Sequence, residues 1–263
     1  MCPTDSGGLP EEDGQETKEH FREVEGEEAM TSDDAFFRYP HTPHLLWLGP
    51  GSPRDDKVLS PAEAARFFDS DVVVEEKVDG ANLGLSVDAS GVLRAQNRGA
   101  YIGSNSHLQF KPLRRWMDEH RLTLLDALGR DLILFGEWCV AVHSIEYTAL
   151  PDWFLAFDVY ERSTGVFWSA DRRDALCAEL GIHVVPQVAK GRFDRSGFQS
   201  LLGPSKLGAA QAEGIYVRID EGSGTEARLA ARSKIVRAEF QQGMPTHWSS
   251  KGLRLNRRLG AHP

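Results

Sequence analysis

Cysteine is almost missing from this sequence: Cys2, Cys139 and Cys177 are the three in 263 residues, and they lie far apart. With no C-x-x-C pair among them, neither a zinc site nor a disulfide framework is suggested, and a reducing compartment is the expectation. Long apolar runs are missing too. No stretch approaches the roughly 20 apolar residues of a membrane span, and the N-terminus has no apolar signal core, so the reading is a soluble cytoplasmic protein without a membrane partner. Nothing in the sequence points to a protein partner, and no internal repeat is evident. With 41% hydrophobic and 26% charged residues the chain has enough apolar content for one large domain or two modest ones.

Aliphatic residues are scarce at the N-terminus. Residues 1–34 are rich in Glu, Gly, Asp and Ser, a composition that cannot bury enough apolar area to offset ordering, so this segment is expected to be a disordered acidic tail. It is either a solvated charge run or a regulatory segment that imitates nucleic acid. Its ten acidic and two basic side chains up to Met30 account for −8 of the net −9. From Lys206 to Pro263 there are instead ten Lys and Arg against five Asp and Glu, a basic quarter able to meet phosphates.

Residues 35–263 read as the folded part. Ser60-Pro61-Ala62-Glu63 combines an N-cap, a proline at the first helical position and an acid three residues after the cap, which predicts a helix through Phe68. Leu108 to Leu128 has the apolar spacing of an amphipathic helix or helix pair stopped by Gly129, and Asp171 to Leu180 reads as a helix capped by Gly181. Strands are expected at Val72 to Lys77, Leu83 to Val87, Val92 to Gln96, Asp131 to Phe135, Trp153 to Tyr160, Gly214 to Ile219 and Ala227 to Lys234. Strands interleaved with helices in a non-repeating order predict an α+β fold of antiparallel sheets flanked by helices.

Lys77 stands where a β-branched strand gives way to a Gly-containing turn before a second strand, read as a hairpin. It is either a surface lysine on that turn or an amine desolvated at a strand end, its pKa lowered into the range of a nucleophile. Lys77, Asp79 and Gly80 form K-x-D-G, and the longer string Glu76-Lys77-Val78-Asp79-Gly80-Ala81-Asn82 resembles the covalent nucleotidyltransferases, in particular the RNA ligase 2 group through Asn82. Further matches follow in order: Arg98 in Asn97-Arg98-Gly99, Glu137 in Phe135-Gly136-Glu137-Trp138, Phe157 in Phe154 to Asp158, Glu213-Gly214, and Arg232-Ser233-Lys234, where Arg replaces the first Lys of a K-x-K motif. The resemblance implies an ATP-grasp-like ligase adenylation domain in which Lys77 is the catalytic nucleophile.

It also implies a nucleotide site made by Glu75, Glu76, Val78, Asn82, Arg98, Glu137, Phe157, Arg232 and Lys234, with Glu213 serving a metal, Mg²⁺ or Mn²⁺. Each residue type suits its part. An α-phosphate gaining charge needs cations, a purine needs an aromatic face and an acceptor at its exocyclic edge from Glu75 or Glu76, a ribose needs the Glu137 carboxylate, and a guanidinium such as Arg98 forks onto phosphate or ribose. Arg232 keeps the charge of the lysine it replaces but presents a planar fork instead of a point donor. His143, Trp138 and Cys139 read as packing around Glu137. The implied activity is ATP-dependent ligation of RNA 5′-phosphate and 3′-hydroxyl ends. A DNA or mixed-substrate ligase, or a nucleotide- or RNA-binding module without turnover, stands as the alternative. The 29 residues after Lys234 leave no room for the C-terminal OB-fold of DNA ligases and capping enzymes. His247 to Arg258, if helical, would align Lys251, Arg254 and Arg258 for phosphate contact, or would present a solvated face.

Overall fold

The computed structural model describes Met1, Pro53 and residues 35–51, 57–241 and 252–260. The chain divides into two units, Met1–Met30 and Thr31–Pro263, and every element below belongs to the second. The segment expected to be a disordered tail, residues 2–34, lies outside the described residues, as do residues 247–251 of the basic C-terminal segment.

Ten strands form two five-stranded sheets. One has the order β1 (His44–Leu46), β10 (Arg228–Val236), β9 (Gly214–Glu221), β2 (Val72–Lys77), β8 (Gln187–Gly191). The other runs β4 (Leu93–Gln96), β3 (Ala81–Val87), β5 (Leu132–Trp138), β6 (Phe154–Glu161), β7 (Val166–Phe167). The expected α+β architecture is what is found. All pairings are antiparallel except β1 with β10, which is parallel and falls in a stretch that reads as a Pro- and Gly-punctuated loop.

Alternation along each strand decides which face goes where. In β9, Ile215, Val217 and Ile219 share an apolar core with Val72, Val74 and Ile235 and with Ala64 and Phe67 of α1 (Pro61–Phe68), while Tyr216, Arg218 and Asp220 point the other way. In the second sheet Leu83, Leu85, Leu134 and Ala156 pack under α2 (Leu113–Leu128) and α3 (Ala170–Leu180), and Asn82, Ile133, Phe135 and Glu137 face away from them. The four buried side chains of α2, Leu113, Trp116, Leu124 and Leu128, each contribute about 1.5–3 kcal/mol by leaving water. Helices therefore cover one apolar face of each sheet, and the polar faces turn toward each other.

Local signals hold at the helix ends. Ser60 and Glu63 form the reciprocal capping box ahead of α1, and α3 stops at Gly181 in a left-handed conformation with φ 66°. Among the described residues no helix is long and apolar enough to cross a membrane.

The hairpin expected at Lys77 is not one. β2 and β3 never pair; β2 lies between β9 and β8 in the first sheet, and β3 lies between β4 and β5 in the second. Val78-Asp79-Gly80 is a crossover from one sheet to the other, which places Lys77 at the mouth of the space between their polar faces. The C-terminal segment, which only if helical would align Lys251, Arg254 and Arg258, is not helical over its described residues. Residues 252–260 run extended, bridging Ala141 through Leu255 and Leu150 through Arg258.

Candidate active site

Strand register brings the candidate residues together. Lys77, last in β2, stands opposite Gly214, first in β9, so Glu213 just ahead of that strand meets the lysine: Nζ donates to Oε2 at 2.6 Å. The approach requires glycine, because a Cβ on residue 214 would sit 2.1 Å from the Ile235 carbonyl oxygen. Gly80 is held as tightly, with the Trp138 carbonyl oxygen 2.7 Å from where its Cβ would be. One row across three strands carries Glu75, Tyr216 and Lys234, and in the second sheet Asn82 stands opposite Glu137.

A cavity of about 200 Å³ opens between these rows, and Lys77, Glu75, Glu76, Val78, Asn82, Arg98, Glu137, Phe157 and Lys234 all line it. Nine residues chosen from scattered motifs thus share one wall. The same wall includes Tyr39, Thr42, Val185 and Tyr216, which sequence reasoning missed. Tyr216 was open to inference, since the alternation Ile215-Tyr216-Val217-Arg218 puts it on the polar face. Tyr39, Thr42 and Val185 come from irregular segments where no periodicity marks a face.

The two glutamates before Lys77 differ. Glu76 gives its carboxylate to the Ser205 hydroxyl at 2.5 Å and the Lys206 amide at 2.8 Å. Glu75 accepts a hydrogen bond only at Oε1, from Arg173 at 2.6 Å, while its buried Oε2 has no hydrogen-bond partner and only the Arg218 guanidinium 3.9 Å away. Asn82 Oδ1 is likewise buried and unsatisfied. Two orphaned acceptors in a cavity wall fit a ligand that brings donors, as an exocyclic amine or a ribose hydroxyl does.

Arg232 is not in that wall. Its guanidinium donates to Asp158 at 3.1 Å and Tyr39 at 3.0 Å and lies over the rings of Tyr39 and Phe167, with 12% of the side chain exposed. Asp158 is fully buried, and Arg218 and Arg232 neutralise it. Arg232, expected at the triphosphate, is thus engaged in an inter-sheet pairing outside the cavity wall. The Phe157 carbonyl is gripped too, accepting from Arg173 at 2.6 Å and Arg218 at 3.0 Å.

Electrostatics reverse one expectation. Burial alone would depress the Lys77 amine, but the Glu213 and Glu137 carboxylates outweigh it and the pKa ends above the ordinary value. Burial raises Glu137 to about 8, helped by Asp79 and Glu213 and opposed by Lys77 and Arg98. Glu213 is raised by burial and by Asp79, against the pull of Lys77 and Lys234. Among the described residues no group of three or more His, Cys, Asp or Glu could hold a metal. That leaves Glu213 as a single hard carboxylate, which could meet a cation only together with other ligands such as substrate phosphates.

The family model for RNA ligase matches residues 70–236, the interval from the strand of Lys77 to the end of β10. The chain belongs to the RNA ligase family. No curated protein matches this family member. Among solved structures it resembles the Naegleria gruberi RNA ligase. A lysine-to-alanine mutant of that ligase with ATP and Mn is 15% identical, over 81% of this chain and 62% of that one, with a TM-score of 0.55. An arginine-to-alanine mutant with ATP and Mn is 16% identical with the same coverage and a TM-score of 0.53, and the ligase with PPi is 16% identical, again with 81% and 62% covered, with a TM-score of 0.51. At these identities the likeness establishes the fold. This RNA ligase family chain spans about three fifths of the length of those structures.

Proposed function

We propose that this chain is an ATP-dependent RNA ligase of the RNA ligase 2 type, acting on RNA 5′-phosphate and 3′-hydroxyl ends. One observation carries the reading: the Lys77 amine lines the same cavity as an aromatic ring, a second lysine and two unsatisfied acceptors, and a carboxylate lies 2.6 Å from it. Phe157 offers its ring to adenine, Glu75 Oε2 accepts from the exocyclic amine, Glu137 and Asn82 take ribose hydroxyls, and Arg98 and Lys234 hold phosphate oxygens. Mg²⁺ or Mn²⁺ at Glu213, when bound, would supply the positive charge that stabilises the α-phosphate as it gains electrons. Lys77 Nζ, having lost its proton and left Glu213, attacks the α-phosphorus and the bond to pyrophosphate breaks. The AMP then passes to an RNA 5′-phosphate oxygen, releasing Lys77, and an RNA 3′-hydroxyl displaces AMP to form the phosphodiester.

The test is covalent labelling. With ATP and Mg²⁺ or Mn²⁺ the protein should gain the mass of one AMP, stable to denaturation, and Lys77→Ala should gain none while keeping its fold. Lys77→Ala should still seal pre-adenylylated RNA in part, because the step needing the lysine is bypassed. Labelling of Lys77→Ala would overturn the nucleophile assignment. A wild type that binds ATP but is never labelled would make it a binding module, and equal sealing of DNA strands would make it a mixed-substrate ligase.

A further inference from the structure

Asn256 is 3% exposed and lies in the extended C-terminal segment, outside the residues matched by the family model and away from the cavity wall. Both polar atoms of its side chain and its backbone amide are used on one loop. Its Nδ2 donates to the carbonyls of Cys139 at 2.8 Å and Ala141 at 3.0 Å, its Oδ1 accepts from the Tyr147 amide at 2.8 Å, and its own amide donates to the Val140 carbonyl at 3.0 Å. Residues 139–147 contain no helix or strand element, so a side chain does for them what a neighbouring strand would otherwise do.

The far side of that loop holds the crossover beyond Lys77. The Asp79 carboxylate accepts from the amides of Ser144 at 2.6 Å and Ile145 at 2.9 Å, and the Asp79 amide donates to the Tyr147 hydroxyl at 2.8 Å. Tyr147 is fully buried and takes part at both ends, its backbone amide on Asn256 and its hydroxyl on Asp79. The loop also begins directly after Glu137 and Trp138, and the Trp138 carbonyl packs against Gly80. Two covalent neighbours of the candidate chemistry, the crossover after Lys77 and the strand end bearing Glu137, are therefore fixed by one loop whose irregular backbone depends on a carboxamide from the C-terminal segment.

We infer that Asn256 is a positioning residue for Lys77, acting through Tyr147 and Asp79; the inference rests on the ligase reading and adds to it a dependence on the C-terminal segment. A carboxamide is needed because the site demands two donors and an acceptor from one side chain. Asp would turn an oxygen onto two carbonyl oxygens, and the loop would shift. Phe157 and Glu75, the residues proposed to hold the adenine, hang on other contacts, with Arg173 and Arg218, so the adenine's share of nucleotide binding should be spared.

The experiment uses the full chain with Asn256→Asp, Tyr147→Phe and the double variant. Adenylylation is followed by intact mass against ATP concentration, and backbone hydrogen exchange is followed at Asp79, Ser144 and Ile145. A displacement of about 1 Å costs on the order of a hundredfold in rate, so the saturated rate of Asn256→Asp should fall about ten- to a hundredfold, with the apparent ATP constant within about threefold of wild type. The three amides should exchange faster, and the double variant should be no slower than the worse single, since both act along one path. An unchanged saturated rate in a folded variant, a loss confined to the ATP constant, unchanged exchange at those amides, or independent multiplying effects would each overturn the assignment. Should Asn256→Asp not fold, Asn256→Ser takes its place under the same criteria, and failure of both to fold would make Asn256 a folding residue instead. A wild type that is never adenylylated defeats the ligase reading alone, and the exchange measurement then decides whether Asn256 holds the crossover.

Discussion

Lys77 rests as an ammonium on Glu213, so the nucleophilic role proposed for it requires that this pair first part. In the proposed reading Glu213 acts by charge and Phe157 by its ring, and the two are separable. Glu213→Gln should cut the saturated adenylylation rate severely and leave the ATP constant nearly unchanged. Phe157→Leu should do the reverse: by analogy with base stacking in single-strand binders, worth roughly 1–3 kcal/mol, it should weaken ATP about ten- to a hundredfold. Rates measured across ATP concentration for both variants are enough, and a pure binding defect in Glu213→Gln would show the roles to be exchanged. Glu137 makes a prediction about pH. Its folded pKa is about 8 against 4.5, so between those values the folded protein keeps a proton that the unfolded chain has released. Stability from this group is thus full below 4.5 and is lost as pH rises toward about 8. Gln cannot ionise, so the melting temperature of Glu137→Gln minus that of wild type should grow across the window, by about 2–4 °C for each kcal/mol. A difference that is flat with pH would mean the carboxyl titrates normally.

At the scale of elements, buried charge ties β2 to α3 through Glu75 and Arg173, and β6 to β9 and β10 through Asp158 with Arg218 and Arg232. Removing one partner strands the other, at about 3–5 kcal/mol, whereas replacing both by apolar groups is often neutral. Arg173→Met should therefore lower the melting point sharply and also raise the ATP constant, because the Phe157 carbonyl loses a donor. Adding Glu75→Met should restore much of the stability and none of the affinity; thermal melts and ATP titrations of the single and double variants decide it. This stitching is what the sequence did not disclose. Elements with strong periodicity or caps were legible: α1 through its capping box, α2 through its apolar stripe, β9 through the alternation of Ile215, Val217 and Ile219. β1, β8 and α4 (Arg195–Ser200) were not, being three to six residues long with too few positions to show a period. The cavity was legible because its motifs lie on strands or directly beside their ends, where the strand pattern marks a face. The sheet crossover at Lys77 was not, since local sequence is the same whether two consecutive strands pair or part. The position of Arg232 outside the cavity wall was not legible for a related reason: a cation on a polar face looks alike whether it meets a ligand or a carboxylate from the opposite sheet.

For the whole molecule the question is where phosphate-binding charge remains once internal pairing is subtracted. Arg218 and Arg232 are spent inside, and in the C-terminal segment Arg254 pairs with Glu146 and Arg258 with Asp152, so the +5 counted from Lys206 onward overstates what an RNA meets. Against this modest surplus the −8 of residues 1–30 is large. Like charge tethered to a domain whose own formal net charge is −1 repels a polyanion over about a Debye length, roughly 10 Å at 0.1 M salt and 3 Å at 1 M. Deleting residues 1–32 should then tighten RNA binding at low salt, with the two proteins converging as salt is raised, because the removed term is screened while contacts at the cavity are not. The melting temperature should hardly move, since those residues bring almost no apolar side chains to bury. Affinities of both proteins for one 5′-phosphorylated RNA across a salt series, with thermal melts alongside, provide the check. Equal affinity at low salt would show that the acidic segment does not reach the RNA path, and loss of cooperative unfolding in the truncated protein would show that it supports the fold.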